Sequence, residues 1–268
     1  MANKRGWWFF LLLLLSGCYE EQEGCLDVLS SNFNVSADID CSNCCNYPSL
    51  NLSITYPIPP LDSVLQDVNG HSFVVEKLSF YLANVRLLDD IGSNFTLREK
   101  VTYDLEDADG TIQEVEVVNN FMLANAVLPK TVRLGTFRAG GPFSNLVIEM
   151  SIPDSLGKAM EGSFDFNHPL SPSNGLLDQD MYHSGKFTLL QTTPDSVRHE
   201  YFIEVPPGNT LNFPISFFPD KGSNIDVNLA FDFSIWLAGL DLTTLDSTRV
   251  ADSYTSQFIQ AFQLLNIE

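Results

Sequence analysis

Beyond Cys45 the chain contains no cysteine: all five lie between positions 18 and 45, and the remaining 223 residues have none. Neither a disulfide framework nor a thiolate metal site can therefore organise the larger part of the protein. Basic residues are also scarce, 14 Lys plus Arg against 34 Asp plus Glu, for a net charge of −20. Two of them, Lys4 and Arg5, precede an apolar leader; without these the balance is 12 − 34 = −22. Such a surface repels nucleic acid and anionic headgroups. It attracts cations, which makes metal ions more natural partners than polyanions, and it also serves solubility alone. The apolar run at 7–15 is too short to cross a bilayer as a mature helix. There is no Gly-x-Ser-x-Gly, no phosphate-binding glycine loop and no zinc-protease helix. Paired carboxylates such as Asp89-Asp90 run into the turn-like Ile91-Gly92-Ser93. With no nucleophile beside a base, the expectation is a protein that is not an enzyme.

What the chain has is apolar and aromatic material. Hydrophobic residues make up 44% of it, with 20 Phe and 8 Tyr. Aromatic side chains suit half-buried pleated surfaces, so the interior should be β-rich. Leu50, Leu52, Ile54 and Tyr56 alternate with polar residues, as in a half-buried strand. The stretch 74–88 is apolar on both faces, as in a central strand. Segments 101–105 and 112–118 flank Asp109-Gly110, a hairpin signal. Further strands are expected at 132–137, 146–152, 187–192, 199–205 and 211–217, with a long one at 225–237. Pro153 suggests a short helix to about Met160. Val250, Tyr254, Phe258, Ala261, Phe262 and Leu265 follow helical spacing at the C-terminus. The fold class is all-β: one large β-sandwich over 49–268, with short helices and a C-terminal amphipathic helix.

The start of the chain is different in kind. Lys4 and Arg5, the apolar run, and then Leu15-Ser16-Gly17-Cys18 resemble a bacterial lipoprotein signal over 1–17. The resemblance implies acylation of Cys18 and a lipid bilayer as partner. Residues 18–24, with Glu20, Glu21 and Glu23, form an acidic tether that resembles those of surface-exported lipoproteins of Gram-negative bacteria. The expected location is the outer membrane, extending to the cell surface. A Cys-rich module follows at 25–48. Cys25, Cys41, Cys44 and Cys45 are an even set in an exported segment and imply two disulfides, with Cys25 taking one of the later three. A direct Cys44–Cys45 bond would strain the intervening peptide. Four reduced thiolates on zinc are the alternative. Residues 24–40 resemble a short Gly-Cys-x-Asp element of exported bacterial proteins, with Ser30 and Phe33 replacing its usual Ala and Tyr. Asp27, Asn32, Asn34, Asp38 and Asp40 offer oxygens for calcium, although turn-forming Asx side chains explain the same residues.

The segment 163–187 carries no strand period through its middle and holds His168 and His183, two of the four histidines. A long loop on a β scaffold is a usual place for function. His183 and Met181 flank Tyr182, so in an extended backbone their side chains share a side. His168 precedes Pro169, which stiffens it. His199 heads the strand after the next turn. Imidazole suits copper and zinc, and thioether suits Cu(I). The expectation is a copper site from His168, Met181, His183 and His199, with Asp180 as an alternative oxygen donor. Against it stands the plain alternative of hydrogen-bonded surface histidines and a core-filling methionine. His71 follows Asn69-Gly70 and reads as a turn neighbour.

From Phe80-Tyr81-Leu82-Ala83-Asn84-Val85-Arg86-Leu87 onward the chain resembles the MbnP-like family, exported proteins associated with copper and methanobactin. Ala83 stands where that family has Ser. The resemblance continues through His168-Pro169-Leu170, Asp180-Met181-Tyr182, Ser184-Gly185-x-Phe187, His199, the strand around Asp232 and the end at Phe262. It implies a β scaffold and a copper-binding role. Two tryptophans that follow Met-Tyr in the family are missing here, where His183-Ser184-Gly185-Lys186 follows at once. Copper chemistry that uses a tryptophan therefore does not carry over. His199 is also followed by Glu200-Tyr201 rather than the family's Leu-Gly. The leading expectation is a non-enzymatic, lipid-anchored copper-binding protein. The alternative is a surface binding or adhesion lipoprotein without a transition metal, stabilised by calcium at the Cys-rich module and taking a protein or glycan partner.

Overall fold

The computed structural model describes residues 19–41, 43–57, 63–106, 109–125, 130–138, 140–150, 152, 156, 164–178, 181–192, 197–206, 208–244 and 252–268. The leader, Cys18, Asp180 and most of the helix expected after Pro153 lie outside these residues.

In chain order the strands are β1 (Glu23–Gly24), β2 (Ile39–Asp40), β3 (Ser49–Thr55), β4 (Leu65–Gln66), β5 (Ser72–Leu88), β6 (Asn94–Phe95), β7 (Lys100–Glu106), β8 (Ile112–Val118) and β9 (Phe121–Asn125). They continue with β10 (Lys130–Thr136), β11 (Phe143–Glu149), β12 (Leu177–Asp178), β13 (Met181–Tyr182), β14 (Gly185–Gln191), β15 (Arg198–Ile203), β16 (Thr210–Phe217), β17 (Ile225–Phe231) and β18 (Phe262–Ile267). Two helices, α1 (Phe233–Trp236) and α2 (Asp252–Gln260), lie between the last two strands.

Two sheets face each other. One has the order β10-β3-β17-β18; the other runs β15-β14-β5-β11-β16, with β4, β6 and β9 also paired to β5. The 17-residue β5 is the spine of the larger sheet. Ser79 and Phe80 pair with both β14 and β9, and Ala83 pairs with both β9 and β11. Strands β14 and β11 therefore follow one another along one side of β5, with β9 on the other. At the junction the amide of Tyr81 donates to the Ser184 carbonyl at 2.8 Å. The bulge that changes register there is Asn84, whose φ of 48° lies in the left-handed region. Its side chain donates to Glu149 at 2.7 Å.

The main core lies between the sheets. Leu52, Ile54, Val227 and Leu229 of the smaller sheet meet Phe80, Leu82, Ile148 and Phe187 of the larger. Phe231 is the hub of an aromatic cluster with Phe80, Phe233, Trp236, Phe258 and Phe262, all at ring separations of 5.7 Å or less. A second core covers the outer face of the larger sheet: Tyr81 and Ala83 lie beneath Tyr103 of the β7–β8 hairpin and Phe164, Leu170 and Tyr182 of the following loop. On the smaller sheet the outer face is polar. Asn51 donates to Asp226 at 2.7 Å and Ser53 to Asn228, across the parallel β3–β17 pair.

Two elements differ from the sequence expectation. The strand expected over 225–237 ends at Phe231, because the Asp232 carboxylate accepts from the Ser234 amide and caps α1. The C-terminal helix stops at Gln260, and β18 then pairs antiparallel with β17. Phe262 and Leu264 satisfy a strand period as well as a helical one, and the open edge of β17 decides between them.

The Cys-rich module is held by the pairs Cys25–Cys45 and Cys41–Cys44. The first agrees with the expectation that Cys25 takes a later cysteine, and none of these four is left as a thiolate for zinc. The module docks on the sandwich through Asp27, which accepts from Tyr47 at 2.9 Å and Arg138 at 2.6 Å. Close packing completes the contact: a Cβ on Gly222 would lie 2.5 Å from the Ser30 carbonyl oxygen.

Candidate metal site

The loop from Phe164 to Ser184 is built as a series of tight hydrogen bonds. A single 3-10 turn at Pro172–Asn174 is capped by Ser171 and ends on Gly175 at φ 71°. Leu177–Asp178 and Met181–Tyr182 then form a two-stranded clip. Tyr182 points into the second core, where its hydroxyl donates to the Leu170 carbonyl at 2.6 Å. Ser184 locks the next residue: its hydroxyl donates to the Val205 carbonyl at 3.3 Å and accepts from the Val205 amide at 3.1 Å.

His183 sits between these two anchors and is only 7% exposed. Its amide donates to the Leu176 carbonyl at 2.8 Å. Its ring stacks on Phe202 with centroids 3.9 Å apart. Nδ1 meets the Glu204 carboxylate, whereas Nε2 is buried and has no hydrogen-bond partner among the described residues. A carboxylate oxygen accepts, so in the neutral ring Nδ1–H donates to Glu204 and the lone pair lies on Nε2. Histidines that bind metals are commonly held by a carboxylate in this way. Sequence reasoning missed Glu204. Its signal was the alternation of β15, which puts Glu200, Phe202 and Glu204 on the face opposite Tyr201 and Ile203.

The other expected ligands lie elsewhere. His168 stacks on Phe164 at 4.7 Å. Its Nδ1 accepts from the Leu170 amide at 3.2 Å, and its Nε2 lies 3.3 Å from the Asn119 side-chain oxygen. Both nitrogens are engaged, and burial pushes the ring below its ordinary pKa, against the opposing pull of Asp165. His199 pairs with Leu189 and lies nearly parallel to Tyr201, at 6.1 Å, on the core side of β15. His183 stacks on Phe202, which points the other way. The structure therefore places His183 and His199 on opposite faces of one sheet and does not bring the three imidazoles to a common point. Met181 is placed on β13, and Asp180 lies outside the described residues. Among the described residues no group of three or more His, Cys, Asp or Glu is arranged to hold a metal ion.

His71 is a structural residue. Its ring Nδ1 lies 2.9 Å from Asp67, which also accepts from the amides of Asn69, His71 and Leu242. Burial alone would raise this carboxyl, but the His71 ring and the three amides outweigh it and hold it at about 2. Each side chain considered for calcium likewise accepts at least one hydrogen bond. Asp27 accepts from Leu29, Tyr47 and Arg138; Asn32 from Asn46; Asn34 from Ser36; Asp38 from Tyr19 and Gln22; Asp40 from Leu26. These side chains act as turn caps.

No protein-family model matches the chain, and no curated protein matches it in sequence. The fold is similar to that of MbnP from Methylosinus trichosporium. The two align over 77% of this chain and 81% of MbnP, at 11% identity and a TM-score of 0.42. At that level the likeness transfers no residue.

Proposed function

We propose that this protein is an exported, non-enzymatic binding protein, anchored through lipid at Cys18, that takes a copper ion at His183. The observation that carries the reading is the His183 ring, fixed by Glu204 at Nδ1, with a buried Nε2 that has no partner among the described residues. A nitrogen withdrawn from water suits a soft, weakly hydrated ion such as Cu(I) better than a hard, hydrated one. Met181, two residues before His183 in the sequence, is the second donor in this reading, a thioether being a ligand that suits Cu(I). The lipoprotein leader and the two disulfides both fit an extracytoplasmic location. His168 and His199 are left out, the first because its nitrogens are engaged and the second because it faces the core.

The test is a Cu(I) titration of the purified protein with ascorbate as reductant, which leaves the disulfides closed. One ion per chain is expected. His183→Ala should weaken binding by at least tenfold, Met181→Ala should weaken it less, and His199→Ala should leave it unchanged. Equal losses in the His183 and His199 variants would sink the assignment.

A second reading has its own support. The module exposes Leu26, Val28, Phe33, Val35 and Ile39, side chains that suit contact with a protein or glycan partner. If the wild type takes up no copper, the protein is the surface binding lipoprotein of that reading.

A further inference from the structure

The two disulfides of the module are not equivalent. Cys25 is 1% exposed, and its bond to Cys45 spans a sequence separation of 20. Cys44 is exposed and Cys41 half-buried, and their bond spans a separation of three with Cα atoms 5.5 Å apart. A short loop constrains the unfolded chain less than a long one, so the Cys41–Cys44 bond adds less to stability. The surrounding chain is also held without it. The Cys41 amide donates to the Gly24 carbonyl at 3.1 Å, and the Cys44 amide to the Cys41 carbonyl at 3.0 Å. Asn32 donates to the Cys44 carbonyl at 2.8 Å and accepts from the Asn46 amide at 2.7 Å. The Ser31 amide donates a hydrogen bond to the Asn46 carbonyl at 2.8 Å. Cys25–Cys45 and the Asp27–Tyr47–Arg138 contact fix the module beyond it.

We propose that Cys41–Cys44 is a thiol–disulfide exchange site for an extracytoplasmic dithiol partner, and that Cys25–Cys45 is the brace that keeps the module folded while the outer bond opens. The partner's thiolate attacks Sγ of Cys44, the exposed residue of the pair. The Cys41–Cys44 bond breaks, and Cys41 leaves as a thiolate that takes a proton. The partner's second thiol then attacks the mixed disulfide and releases Cys44 as a thiol. The module gains two electrons and two protons, and the partner leaves with a new disulfide. The proposal is independent of copper binding, since its readout is cysteine labelling rather than metal.

The purified protein is incubated with limiting dithiothreitol, a model dithiol, then quenched with iodoacetamide at intervals and mapped by peptide mass. Cys41 and Cys44 should be alkylated at least tenfold faster than Cys25 and Cys45, with the far-UV circular dichroism unchanged. Oxidised dithiothreitol should then reclose the same pair. Simultaneous labelling of all four cysteines, earlier labelling of Cys25 and Cys45, or reclosure in another pairing overturns the proposal. Cys41→Ser/Cys44→Ser should lose the fast phase and keep Cys25–Cys45 closed; should that variant fail to fold, the wild-type kinetics still decide.

Discussion

The residues before Ser49 and those after it are ordered by different means. The sandwich is held by burial: its sheets close over Leu, Ile, Val and a connected set of aromatic rings. The module has few such residues inside and several outside, Val35 being 82% exposed. It is held by two covalent bonds and by Asx side chains that accept from nearby amides. A segment this small cannot bury enough apolar area to offset its backbone entropy, and covalent closure makes up the difference. Damage should therefore travel through the sandwich and stay local in the module.

The largest expected effect tests that claim at the hub. Phe231→Ala removes a fully buried ring that touches five others across both sheets and the helices. It should cost about 3–5 kcal/mol in urea denaturation. Val35→Ala, an apolar truncation on the module, should cost less than about 0.5 kcal/mol. Similar losses from the two would remove the distinction between the regions.

A smaller effect is expected at Asp67, where the sandwich uses the module's own device, a carboxylate closing a turn. Here the carboxylate is buried and ties the β4–β5 turn to the amide of Leu242. Its folded pKa is held at about 2, below its ordinary value of 3.8. Its stabilisation is thus complete above the ordinary value and is lost as pH falls from about 4 through about 2. Asp67→Asn turns an acceptor into a donor that faces other donors, at a cost of about 1–3 kcal/mol at pH 7. The gap between wild type and variant in urea midpoint should close as the pH is lowered through that window. A gap that does not change with pH would mean that shape rather than charge matters at this position.

Most of the sandwich was legible because alternation, as at Leu50, Leu52 and Ile54, depends only on which face is buried. The hairpin around Asp109-Gly110 was equally plain, a turn signal between two alternating segments that pair antiparallel. Alternation already put His199 on the face of Tyr201, Ile203 and Val205; what could not be read was which residues meet His183. That depends on the β14–β15 register, which pairs Leu189 with His199 and turns Phe202 toward His183. Alternation gave the face of Glu204 but not its nearness to His183, since a carboxylate 21 residues away becomes a neighbour only through strand pairing. At the C-terminus the residues of 262–267 satisfy two periods, and only the free edge of β17 selects the strand.

The smallest expected effect concerns the join between the two regions. Arg138 reaches from the sandwich to Asp27, with 59% of its own side chain exposed and 13% of that of Asp27. An ion pair so open to water contributes at most about 1 kcal/mol, less at high salt. Burial would raise the Asp27 carboxyl, but the Leu29 amide, the Tyr47 hydroxyl and Arg138 together hold it below its ordinary value. Removing one of three donors leaves the turn capped. Arg138→Ala should therefore leave the urea midpoint of the sandwich within about 0.5 kcal/mol of wild type. Amide hydrogen exchange should instead rise across residues 26–31, where Asp27 and Ser30 meet the sandwich. If the midpoint falls as it does for Phe231→Ala, the module is part of the same cooperative unit, and its disulfides brace the sandwich as well as themselves.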